Sequence, residues 1–113
     1  MMHIVAIILQ IILGLGFIMF GVMKFTSEDM VKGFEHFGLP QWLRVLTGIL
    51  ELLGAAGLII GIWVPTLAFL AGIGLAIIMF FAALAHIRAK DPISTAVMPT
   101  LLLVLSVVVA VLN

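Results

Sequence analysis

Cysteine is absent from the 113-residue sequence, and charge is scarce, with five Lys or Arg and five Asp or Glu residues. The missing thiols exclude disulfides, thiol redox chemistry and thiolate-held iron–sulfur clusters. Charged residues make up 9% of the chain, against roughly 25% in a soluble domain. The charges balance to a formal net of zero, so no basic surface points to nucleic acid. What remains is 65% hydrophobic. A chain this short keeps a large surface for its volume and cannot hide that much apolar area from water. Lipid must be the solvent for most side chains, and the length allows one unit, a single transmembrane domain over residues 1–113.

Four apolar runs satisfy the requirement of about 20 helical residues per bilayer crossing. They cover about residues 3–22, 41–62, 65–87 and 92–112. Backbone groups in hydrocarbon must bond internally, which makes these runs helices. The first lacks a basic leader and a following small-residue cleavage site, and reads as a retained membrane helix. Trp63-Val64-Pro65 forms a tight interfacial turn, with Pro65 at a first helical position. Asp91-Pro92 reads as a cap followed by a first-turn proline, and Pro99 is expected to kink the fourth helix. Between Met23 and Pro40, Met30, Val31, Phe34 and Phe37 recur near helical period, Thr26 and Asp29 have capping-box spacing, and Gly38 and Pro40 terminate the segment. A short amphipathic helix follows, lying in the interface or over the bundle as a lid. The fold class is all-α, an integral membrane four-helix bundle.

Lys24, Lys32, Arg44, Arg88 and Lys90 all lie in or near the first and third connections, which four spans place on one side. The positive-inside rule puts those loops in the cytoplasm and both termini outside, as in a bacterial plasma membrane.

Glu51 stands roughly ten residues into its helix, about 15 Å deep at 1.5 Å per residue. An ionisable group at that depth is expensive and usually faces the bundle interior in a functional role. A proton relay, a cationic partner, or a carboxyl bonded to a neighbouring helix for packing specificity each accounts for it. Arg44 precedes it by seven residues, on nearly the same face but about 10 Å away, too far for a direct bond. A ligand or another helix would have to bridge the two, unless Arg44 simply snorkels to headgroups. Lys24 and His86 end their helices on the same side, each with a bland interfacial reading. Together they suggest a binding site in which Lys24, Arg44 and His86 rim a deep Glu51 and accommodate a polar head on an apolar tail. His3, His36 and His86 are too scattered in sequence to argue for a metal site. Gly54, Gly57 and Gly61 form one stripe for close helix approach, with Gly14, Gly21 and Gly72 beside Ala68 and Ala76 as candidate complementary surfaces.

The run Gly21-Val22-Met23-Lys24-Phe25, then Phe37-Gly38-Leu39-Pro40, then Gly48-Ile49-Leu50-Glu51-Leu52-Leu53-Gly54 with Gly57, Leu58 and Gly61 resembles the DoxX-like family of small four-helix membrane proteins. The short turn before Pro65 fits as well. Gln10 stands where family members often carry an arginine, and the last helix adds no motif. The resemblance implies a four-helix bundle with Lys24 and Glu51 at motif positions. It also implies a link to membrane oxidoreductases, because the family takes its name from a subunit of a thiosulfate:quinone oxidoreductase. On that basis the chain is expected to be a non-catalytic subunit or accessory, with no covalently bound cofactor, that holds a quinone or anchors a redox partner protein. A second copy of the chain is another candidate partner. Two other classes compete. One is a proton-coupled transporter of small-multidrug-resistance type, whose essential carboxylate nevertheless lies on the first helix. The other is a non-catalytic membrane scaffold.

Overall fold

The computed structural model describes residues 2–113. Its helices are α1 (Met2–Thr26), α2 (Glu28–His36), α3 (Gln41–Ile60), α4 (Pro65–Arg88) and α5 (Val97–Leu112), with a 3₁₀ turn at Ile93–Ala96 before the last. All four spans are long and apolar enough to cross a bilayer. The 42 Å long dimension of the molecule matches the roughly 40–45 Å of a bilayer with its headgroups. Helix α1 packs on α3, α3 on α4, α4 on α5 and α5 back on α1. The result is a closed ring of neighbours around a core that includes Leu13, Phe17, Ala55, Leu58, Leu75 and Val109. Outward-facing Ile, Leu, Val and Phe side chains cover the rest, as expected where hydrocarbon replaces water.

The boundaries correct several sequence expectations. Helix α1 continues to Thr26 rather than ending near Val22, so Lys24 belongs to its last turn. The capping box does not form: Ser27 is the N-cap of α2 without a side-chain bond, and the Thr26 hydroxyl instead donates to the Val22 carbonyl at 3.2 Å. Pro99 does not fall in a helix interior. The 3₁₀ turn delays the start of α5 to Val97, which puts Pro99 in the first turn, where a missing N–H has no intrahelical partner to lose. Pro65 does open α4, and Gly38, at φ +72, closes α2. The Gly38 and Leu39 N–H groups turn back to the Glu35 and Phe34 carbonyls, a Schellman arrangement.

Helix α4 ends in the same way. The Lys90 and Asp91 N–H groups bond the Ile87 and His86 carbonyls, with Lys90 itself at φ 59. That left-handed conformation is ordinarily left to glycine. It turns the chain so that Asp91 stands beside His86.

The glycine stripe of α3 faces α4, where a Cβ at Gly57 or Gly61 would meet Ala71 or Ala68. Gly72 belongs to a different seam. A Cβ there would lie 2.8 Å from the Ser106 carbonyl oxygen and 3.1 Å from the Ala110 nitrogen, so it brings α4 and α5 together rather than α4 and α3. At the termini end, Gln10 is 1% exposed and bonded through both its nitrogen and its oxygen. Its amide donates to the Leu58 carbonyl at 2.9 Å and its oxygen accepts from Asn113 at 3.1 Å. Leu58 lies in the last turn of α3, where carbonyls lack helical partners.

Candidate functional site

Glu51 shares its helix face with Gly48, Ala55 and Leu58, a 3–4 spacing that points all four inward. Its side chain is 0% exposed, and Lys24 Nζ lies 2.6 Å from Oε1, a close buried ion pair. Lys24, 12% exposed, therefore reaches down into the bundle from the last turn of α1 instead of up to headgroups. Gly48 makes the reach feasible: a Cβ there would lie 3.1 Å from the Lys24 Cβ. Glu51 Oε2 is buried and has no hydrogen-bond partner among the described residues.

Arg44 closes the gap that its spacing from Glu51 left open, and the bridge is Lys24. The Arg44 guanidinium donates to the Lys24 carbonyl while the Lys24 ammonium holds Glu51. A second guanidinium N–H donates to Gln41 Oε1 at 2.7 Å, and Gln41 donates to the Val31 carbonyl at 3.1 Å. Arg44 thus serves as a cap on the exposed carbonyls ending α1. It fastens α1, α2 and α3 but does not line the cavity described next.

That cavity, about 560 Å³, opens from Glu51 toward the α2 end of the bundle, and Lys24, Glu51 and His86 all contribute to its wall. Phe20 of α1, Phe34 of α2 and Phe37 line it, along with Met79, Met98 and Pro99. Its size falls within the roughly 300–1,000 Å³ of small-molecule sites, which are mostly apolar with a few convergent polar groups. Helix α2 forms part of the wall through Met30 and Phe34, the lid alternative raised by its amphipathic pattern.

What pins α2 in place has no local signature in the sequence. Asp91 is no helix cap: its Oδ1 accepts from His36 Nε2 at 2.6 Å and its Oδ2 from His86 Nδ1 at 2.9 Å. A carboxylate only accepts, so both imidazole nitrogens carry hydrogens. Phe37 packs edge-on against His86, ring centroids 4.9 Å apart. Two histidines judged too scattered thus converge, because connections on the same side of four spans meet in space. No metal-ligand cluster forms among the described residues.

The hydrogen bonds from His36, and then from His86, hold the Asp91 carboxyl below its ordinary value of 3.8. A depressed carboxyl stabilises the fold at pH above the ordinary value, and this contribution disappears as pH falls from there through the lower folded value. Wild type is expected to lose stability across that acid window, and Asp91→Asn to show a flatter profile. Thermal melts in detergent from about pH 5 to about pH 2 check this, and an equally steep loss in the variant would remove Asp91 from the account.

Four membrane-length apolar helices packed in a ring around a buried carboxylate–ammonium pair define a polytopic membrane protein. The chain matches the DoxX-like family over residues 8–109, and it belongs to that family. It is 28% identical over 107 residues to the uncharacterized protein YdgD of Bacillus subtilis (strain 168), an alignment covering 93% of this chain and 94% of that protein. No solved structure matches it.

Proposed function

We propose that this protein is a membrane subunit or accessory of a quinone-linked oxidoreductase system, and that the cavity over Glu51 holds the quinone. The observation supporting the reading is the 560 Å³ apolar chamber with the Lys24–Glu51 pair on its wall. The residues fit such a group. Phenylalanines flank the space for a flat ring, the Lys24 ammonium has N–H donors for a carbonyl of the oxidised form, and Glu51 Oε2 is an acceptor for a hydroxyl of the reduced form. A bound quinone supplies two-electron carrier chemistry. The chain's own part is to bind and orient the head, exclude water from it, and keep α2 closed through Asp91. The redox centre then belongs to a partner protein. The chain lies in a bacterial plasma membrane with its basic loops cytoplasmic, in keeping with the side on which Lys24, Arg44, Arg88 and Lys90 gather.

The test is titration of the purified protein with a decyl-substituted benzoquinone in its reduced, hydroquinone form, whose hydroxyl can donate to Glu51, in wild type and Glu51→Gln. Micromolar binding that weakens about tenfold or more in the variant is expected, since hydrogen bonds involving a charged group contribute about 1.5–3 kcal/mol. No binding by wild type overturns the reading.

A further inference from the structure

We infer that the cavity selects neutral lipophiles whose head carries a hydroxyl group, and discriminates against heads that only accept hydrogen bonds or carry positive charge. The inference rests on the reading of the cavity as a ligand site and specifies its chemistry. Among the buried side-chain atoms without a hydrogen-bond partner, Glu51 Oε2 has neither a bond nor an ion contact and belongs to a side chain that is 0% exposed and lines the cavity. A carboxylate oxygen only accepts. A buried carboxylate oxygen without a hydrogen bond costs its desolvation, so a ligand that satisfies it must bring a hydrogen.

Charge narrows the class. Lys24 Nζ is 2.6 Å from the other carboxylate oxygen. Wherever the shared hydrogen sits between Nζ and Oε1, the pair sums to zero and Oε2 keeps its lone pairs. A cationic head would find no net negative charge to compensate its own burial, and would meet the Lys24 ammonium as a like charge. An anion would meet the free carboxylate oxygen. A neutral O–H donor incurs neither penalty, and its oxygen accepts in turn from Lys24. Walls of Phe20, Phe34 and Phe37 suit an aromatic head, so a hydroquinone or other alkylphenol is the best match. For a quinone couple, the reduced form binds more tightly than the oxidised form.

Calorimetric titration of the wild-type protein in detergent with one matched series decides this: decylhydroquinone kept reduced, its dimethyl ether, the parent decylbenzoquinone, decylammonium and 1-decanol. The hydroquinone is expected to bind at least about tenfold tighter than the ether, the quinone and the ammonium, the scale of one hydrogen bond to a charged group. In Glu51→Gln, whose amide both donates and accepts, the hydroquinone-to-ether ratio falls toward one; an unchanged ratio there overturns the role of Oε2. Equal or tighter binding of the ether or quinone to wild type overturns the hydroxyl preference while leaving a quinone site in place. Tighter binding of decylammonium overturns the charge argument. If 1-decanol matches the hydroquinone, the hydroxyl preference stands and the head is an aliphatic lipid alcohol, which removes the quinone assignment. Binding by none of the five overturns the ligand site altogether.

Discussion

Lys24→Met is expected to be the most damaging single change to the bundle interior, lowering unfolding free energy by about 3–5 kcal/mol, the cost of stranding one member of a buried ion pair. The asymmetry of the pair makes the prediction specific. Glu51 is 0% exposed and sits mid-helix, whereas Lys24 is 12% exposed in the last turn of α1. Losing the ammonium leaves a carboxylate that cannot move. Losing the carboxylate, as in Glu51→Gln, leaves a lysine whose four-carbon stem can swing out to headgroups, so that change is expected to cost less than half as much. The double change Lys24→Met with Glu51→Leu should recover most of the stability, because a well-packed apolar pair commonly equals or exceeds a buried ion pair. Unfolding in mixed detergent micelles measures all three. A single-variant loss under about 1 kcal/mol for Lys24→Met would show that Glu51 is not confined to the interior.

Gly72→Leu comes next, at about 3 kcal/mol from overpacking. Its Cβ would lie 2.8 Å from the Ser106 carbonyl oxygen and 3.2 Å from the Ala110 Cβ. The first of these is backbone, which has no rotamer to change, so α5 must move away from α4. The displaced seam contains buried Ser106 and Val109. Gly74→Leu, two residues on, meets nothing within 4 Å and points outward, so its effect is expected to stay within about 0.5 kcal/mol. The comparison removes helix propensity from the difference, because both substitutions replace a helical glycine by the same residue. Similar losses in the two variants would mean that α4 and α5 do not approach at Gly72.

The four spans were legible because hydropathy and length act locally, and Pro65, Gly38 and the Trp63 turn punctuate them by rules that need no tertiary knowledge. The inward placement of Glu51 was legible for a related reason: a mid-helix carboxylate in lipid has one affordable direction. Its partner was not. Lys24 at a helix end is equally compatible with an outward and an inward stem, and only the extension of α1 to Thr26 and the lack of a side chain at Gly48 decide between them. Arg44 illustrates the same limit. Its face and depth were readable, but the α1 carbonyl it caps is 20 residues away in the chain. The His36–Asp91 pair spans 55 residues, and its one sequence trace is that both flank connections on the same side. The Pro99 expectation failed because the 3₁₀ turn shifted the start of α5, a change of register that hydropathy does not sense.

The 2.6 Å separation of Lys24 and Glu51 also has an electrical consequence. A full charge crossing the bilayer couples to membrane voltage at about 2.3 kcal/mol per 100 mV. Two opposite charges so close span less than a tenth of a roughly 30 Å core and couple by about 0.2 kcal/mol. Admitting an uncharged guest beside such a dipole carries no current, so occupancy should be the same in energised and de-energised membranes.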